Sequence, residues 1–525
     1  MDEYQKNLTP LAEYLLSELD KNQTPNHDRK LSVNPVVSEV ATWYEKFRNA
    51  MDNREDDVLL RAAIERILKR RLLLGGTGQG VAQPLIRELL WARYFPEATL
   101  PESTINQVEQ VIDHYLKLQH KVLNKHKINR NTLHEWIMQL MSAEIEHVLN
   151  PNPEKELMSN FMFQTYRSAI LIADDSEEVR DVQVFIAVHR TFAKEDLALL
   201  RYNLFNQLFG KVTVENIEKI SDNFVTGIKE IESQLSYSLK DKIYTFIKRQ
   251  TVPFFILEDV FRANKGRNKQ LVSNLSQFNV SILDSCSQKY KGIKAKVQRA
   301  IVRGVIFIFV TKAVFALAVE GTYESLIYGQ IIWSSIALNT LIPPVLMIIV
   351  GLLIKTPDKE NSIRIAERIH SILFSYSPVA EPLTLKKAPA KTNPLLMGMF
   401  ILLWLLAFGV GFGSIIFVLT MLHFNLISQA VFLFFLTIVS FISFRINQTA
   451  HIYSISDNKQ NFKSVLFDFF FMPFIQLGRR LTEDISKINI FLFVFDFIIE
   501  APFKGIFAFF EQWFYYLRTQ REKLG

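Results

Sequence analysis

Three observations predict a mainly α fold: a multi-helix cytoplasmic domain, then a four-helix transmembrane domain, then amphipathic interfacial helices at the C-terminus. Apolar residues recur at steps of three and four through most of residues 1–290. Four long apolar runs lie beyond residue 300. Fifteen of the 43 phenylalanines fall between positions 462 and 514, interspersed with Lys, Asp and Arg, so this tail is expected to lie on a membrane surface rather than cross it. The expected domain boundaries are 1–290, 291–445 and 446–525.

A chain of 525 residues has room for more than one domain, and a mean hydropathy of +0.11 is high for a wholly soluble protein. Cys286 is the single cysteine, which excludes a disulfide framework and a thiolate metal cluster and suits a cytoplasmic soluble part. The opening MDEYQKNLTP has neither the basic nor the apolar region of a secretory signal, so the first apolar span is expected to direct insertion. The net charge of +7 comes largely from Lys and Arg flanking the apolar runs. That is a topology signal, and no nucleic-acid partner is expected.

Within 1–290, RAAIERILKRRLLL is amphipathic at helical spacing and leads into LLLGGTGQGVAQ at 72–83. A phosphate-binding loop would end in Gly-Lys-Ser/Thr, and a dinucleotide fingerprint would follow a strand. Here Gly80 precedes Val81, and a helix precedes the glycines, so the segment is expected to be an inter-helix turn. A further helix runs from about Glu102 to Leu123, and NPNPEK breaks the pattern at 150–155. SAILIA, the acidic DDSEE and DVQVFIAVHRTF, with Val182, Val184, Ile186 and Val188 alternating, predict a β-hairpin near 167–192. From Ile217 to Phe246 the apolar positions keep a mean spacing near 3.6 and predict one straight helix of ~45 Å.

The predicted spans are about 301–319, 328–354, 394–422 and 426–444. The first is short for ~30 Å of hydrocarbon, but its flanks support it. Lys289, Lys291, Lys294, Lys296, Arg299 and Arg303 precede it, and Glu320 and Glu324 follow. Basic residues also follow the second and fourth spans, which places both termini in the cytoplasm of a multi-pass protein of the cell membrane. The Phe-rich tail divides into SVLFDFFFMPFIQLG, expected to be interfacial or re-entrant, and a final helix whose Phe503, Phe507, Phe510, Trp513 and Phe514 form one aromatic face. SIRIAERIHSILF, between spans two and three, has a weaker stripe of the same kind in Ile365, Ile369, Ile372 and Leu373.

Lys312 is the polar residue that stands out, because a lysine in mid-span costs ~2.5–3.5 kcal/mol and needs a partner, for which Glu320 and Glu324 are candidates. Asn339, Thr340, Pro343 and Pro344 place polar groups beside a helix break in span two, an arrangement transporters use at mid-membrane. Gly409, Gly411 and Gly413 are expected to permit close packing of span three. No catalytic residue, cofactor or metal site is expected: Glu144…His147 and Glu367…His370 match Glu-x-x-His, but at a frequency chance supplies. The expected function is a non-enzymatic, membrane-tethered organiser on the cytoplasmic leaflet. Its partners would be the bilayer, anionic lipids and a protein bound by the helical domain. The alternative is a transporter or channel with a polar path through spans one and two.

Overall fold

The structure is a computed structural model. It describes residues 7–21, 31, 38–39, 41–42, 45, 58–73, 75–96, 98–329, 333–375, 382–386, 394–422, 424–455, 462–487, 509–510, 512–514, 516–517 and 519–520. The chain divides into two compact units: one drawn from Met1–Gln270, Ser371–Lys387 and Ile490–Gly525, the other from Leu271–His370 and Ala388–Asn489.

In the first unit, α1 (Pro10–Leu19), α2 (Leu59–Leu72), α3 (Gly78–Trp91), α4 (Ser103–Lys125), α5 (Arg130–Leu149) and α6 (Pro153–Tyr166) precede strand β1 (Ile170–Ile172). Helices α7 (Glu177–Val188), α8 (Leu197–Phe209), α9 (Ile217–Leu235), α10 (Lys240–Gln250) and α11 (Val252–Ala263) follow. Several starts are written in the sequence: Asn129, Asn152, Ser176 and Asp196 each accept a backbone N–H of the turn they precede. Helix α5 is central and packs on α2, α4 and α8. Its Leu133, Ile137, Leu140 and Met141 share a core with Ile64, Leu85, Ile112, Phe205 and Phe224. Each such side chain contributes roughly 1.5–3 kcal/mol on burial.

Residues 72–83 join α2 to α3, as expected. Gly75 has a φ of +83°, which favours glycine. Gly78 serves contact instead: a Cβ there would lie 2.3 Å from the Glu109 carbonyl oxygen on α4. Its N–H donates to the Asp113 carboxylate at 2.7 Å, so an acidic side chain of the protein uses a donor that a phosphate would need.

Two expectations in this unit are corrected. There is no hairpin at 167–192. DDSEE begins a helix, with Ser176 accepting from the Val179 N–H and Glu177 and Glu178 in the first turn, and Val184, Ile186 and Val188 are buried on α7. Strand β1 pairs in parallel with β2 (Leu383–Leu385), Ile170 opposite Leu383 and Ile172 opposite Leu385. The predicted helix from 217 to 246 is divided into α9 and α10. Ser236 Oγ bonds back to the Glu232 carbonyl at 2.7 Å, Tyr237 bonds to Asp175, and Lys240 Nζ caps the Leu235 carbonyl at 3.0 Å. Ile243 and Ile247 of α10 remain buried.

In the second unit, α12 (Leu275–Phe315) continues through a π-helical turn, Ala316–Gly321, into α13 (Thr322–Tyr328). Then come α14 (Trp333–Leu353), α15 (Lys359–Phe374, of which Ser371–Phe374 belong to the first unit), α16 (Pro394–Met421), α17 (Leu426–Ala450) and α18 (Phe462–Lys487). Leu275–Ile327, Ile336–Leu353, Pro394–Met421 and Leu426–Ala450 are each long and apolar enough to cross a membrane. The short first span is thus the apolar end of a 53-residue helix, which supplies the missing length. Helices α12, α14 and α17 enclose Ile293, Val297, Ile308, Met347, Phe435 and Val439.

The remaining helices differ from expectation in four ways. Helix α14 stays helical through Pro343 and Pro344 rather than breaking there. In α16 only Gly411 is approached, by the Phe474 ring; a Cβ at Gly409 or Gly413 would meet nothing within 4 Å. Helix α18 runs on through Pro473 without a break, and it packs on α17 and α16. Gly478 makes the approach to α17 close, since a Cβ there would lie 2.2 Å from the Thr437 carbonyl oxygen. Ile365, Ile369, Ile372 and Leu373 of α15 are buried in the fold, not displayed on a surface.

Candidate functional site in the membrane bundle

Lys312 lies one turn after Ile308 on the inward seam of α12, and its side chain is completely buried. From Lys312 to Glu320 an ideal α-helix would overshoot two full turns by about 80°. The wider π-helical turn at Ala316–Gly321 takes up that excess and brings Glu320 beneath Lys312. Lys312 Nζ then meets Glu320 Oε1 at 2.6 Å, with neither side chain exposed, and lies 5.2 Å from the centre of the Phe435 ring. Glu324, one α-turn further, is also buried.

Two other spans complete the cluster. Asn339 of α14 donates from Nδ2 to Glu320 Oε2 at 2.6 Å and to the Ser428 carbonyl at 3.3 Å. Ser428 Oγ on α17 donates to the same carboxylate oxygen at 3.2 Å. Asn425 caps α17 by accepting the Ser428 N–H at 2.8 Å, and its Nδ2 donates to Glu324 Oε1 at 3.1 Å. The result is a polar column from Lys312 through Glu320, Asn339 and Ser428 to Glu324 and Asn425, held by apolar helices. Pro343 and Pro344 lie one turn beyond Asn339 and Thr340 and are buried.

Of the residues singled out in the sequence, Lys312 and Asn339 each meet Glu320, while Glu324 bonds elsewhere, to Asn425. Ser428 and Asn425 are additions. Their signal was an Asn-x-x-Ser step at the start of span four, which also spells an ordinary helix cap. Phe503 and Phe507 lie outside the described residues. Phe510 and Trp513 are 45% and 47% exposed and Phe514 is half-buried. The two Glu-x-x-His pairs are used separately: Glu144 accepts from the Tyr115 hydroxyl at 2.7 Å, and His370 bonds to Asn279 at 2.6 Å.

The first unit holds a second charged group. Arg61, nearly buried, bridges Glu65 and Asp196 and donates to Ser142. Nearby, burial pushes the Glu146 carboxyl up to about 7, against the pull of Arg61 and with Asp196 and Glu195 adding to the rise. An open cleft of about 320 Å³, lined by Arg190, Glu195, Asp196, Leu200 and Lys240, adjoins the π-helical turn at His189–Ala193. Compared with known proteins, the chain matches no family model, no curated protein and no solved structure.

Proposed function

We propose that this is a multi-pass protein of the cell membrane, with both termini cytoplasmic, whose bundle moves protons or small cations along the polar column of spans one, two and four. The observation that carries the reading is the fully buried Lys312–Glu320 pair, bonded to a polar group from each of two other spans. Taking both charges out of water is expensive, and apolar side chains of similar volume would hold the helices at least as well. Ionisable groups kept inside a bundle typically line ion paths, and π-helical turns recur at functional sites.

Purified protein in liposomes holding a pH-sensitive dye is expected to carry a salt-dependent proton flux. Lys312→Leu is expected to abolish it, and flux unchanged in that variant would remove the reading.

One observation favours a second reading, the membrane-surface organiser. The rings of Phe509, Phe510, Trp513 and Tyr516 are exposed on residues in helical conformation, free to enter an interface. A peptide covering 500–521 should then gain helicity and shift Trp513 fluorescence to the blue with anionic vesicles. Lys504 and Arg518 would add about 1 kcal/mol each to that attraction at low salt. A peptide that stays unstructured, with Trp513 wet, would leave the organiser without support.

A further inference from the structure

The cleft of about 320 Å³ in the first unit is walled by two carboxylates that are fully occupied and two cations that are not. Glu195 meets a His189 ring nitrogen with Oε1 at 2.7 Å and accepts the Asn203 amide on Oε2 at 2.8 Å. Asp196 receives Arg61 on Oδ2 at 2.7 Å, while its Oδ1 caps α8 by accepting the Leu199 N–H at 3.0 Å. Arg190 is exposed, and among the described residues no carboxylate pairs with it; its guanidinium carbon lies 4.6 Å from the centre of the Tyr244 ring. Lys240 uses one of its three hydrogens on the Leu235 carbonyl, and it too has no carboxylate partner among the described residues.

The local backbone puts both cations there. Arg190 belongs to the π-helical turn His189–Ala193, which ends at Lys194 in a left-handed conformation (φ +57°) that is costly for a residue with a Cβ. Such turns recur at functional sites. Lys240 is placed by the break between α9 and α10, and Tyr244, one turn further along α10, supports Arg190. Much of the remaining lining is aliphatic: Ile186 and Leu200 are buried, Leu235 is half-buried, and Leu197 is left 49% exposed. Two unmatched cations beside an aliphatic lining suit a ligand with one anionic end and one apolar end. Its charge is limited to one, because Glu195 and Asp196 stand in the same wall and repel a denser anion. At ~30 Å³ per water-sized group, the cleft takes about ten non-hydrogen atoms.

We propose that this cleft binds a medium-chain aliphatic carboxylate, with its headgroup on Arg190 and Lys240 and its chain against Ile186, Leu197, Leu200 and Leu235. Arg190 offers the planar pair of donors that a carboxylate matches, and Lys240 adds an ammonium with two further hydrogens. The chain covers Leu197, so acids of about six to eight carbons fit the volume, whereas acetate has the charge but nothing to bury. The inference concerns the first unit alone and does not depend on the ion-handling reading.

The test uses the full-length protein in lipid nanodiscs and equilibrium dialysis of radiolabelled octanoate at pH 8, with empty nanodiscs subtracted for partition into lipid. Saturable binding of about one octanoate per chain is expected, half-complete below about 1 mM. Acetate and octylamine should fail to displace it, and octyl phosphate, doubly charged at this pH, should compete more weakly than octanoate itself. Arg190→Gln and Lys240→Met should each weaken binding at least about tenfold. Leu197→Trp keeps both cations but fills the cleft, and it should abolish binding. Each variant is first shown to elute and melt as a folded protein, and the wild-type dialysis with its competitors needs no variant. Octanoate binding no greater than that of empty nanodiscs overturns the proposal, as does displacement by octylamine. So does octyl phosphate binding as tightly as octanoate or more so, or unaltered affinity in a folded Arg190→Gln.

Discussion

Glu146 shows how one side chain can set the pH response of a domain. Its Oε2 is buried without a hydrogen bond among the described residues, and its carboxyl is raised from 4.5 to about 7. Because the folded value lies above the unfolded one, the folded state holds the extra proton between those two values, and stability falls as pH rises through that window. Glu146→Gln should flatten this slope and stabilise the protein at pH 8, by at most about 3 kcal/mol. Urea melts at pH 5 and pH 8 measure it, and equal slopes in both proteins would sink the assignment. Lys312 and Glu320 should behave in the opposite sense. Removing one partner leaves a buried charge alone, so Lys312→Leu should cost about 3–5 kcal/mol, while Lys312→Leu combined with Glu320→Leu should regain most of it. A thermal double-mutant cycle in detergent reads this out, and additive losses would mean that the pair is not coupled. Lys312 and Asn339 were legible in the sequence because each interrupts an apolar run. The π-helical turn that aligns Glu320 was not, since nothing in ALAVEG distinguishes it from ordinary helix.

Among the elements, α7 marks where periodicity misleads. Valines at 182, 184 and 188 suit a strand face, yet Val184 and Val188 are also one helical turn apart, and the deciding residue is Ser176. Ser176→Ala should remove the cap and cost ~1 kcal/mol, visible as a lower melting midpoint in circular dichroism. An unchanged midpoint would place the start of the helix under other control. Strand β1 could not have found its partner from local pattern, because β2 lies beyond two spans of the chain. The division between α9 and α10 was hidden for a related reason: the stripe keeps its phase across the turn, and contacts from Asp175 and Gln183 hold the turn in place. The glycine-rich turn was legible as a turn, but the close approach of α4 was not. Gly78→Ala should force the backbones of α3 and α4 apart and cost about 1–3 kcal/mol. Gly80→Ala, with nothing within 4 Å, makes the matched control.

For the whole molecule, hydropathy located the four spans because their length is dictated by the solvent they cross, and that constraint does not depend on tertiary contacts. Orientation rests on the charge bias, and reporter fusions test it. Fusions at Gly321 and His423 should face outward and those at Lys386 and Gly525 inward; His423 and Gly525 lie outside the described residues. An outward Lys386 would mean that the first span does not cross. That span is also the end of a long rod. Between Leu275 and Arg303, α12 is unbroken α-helix, about 42 Å of it before the apolar segment begins. A rod of that length is a lever. If ion movement along the polar column tilts the span by about 6°, the tip at Leu275 sweeps through about 4 Å, most of one helical pitch.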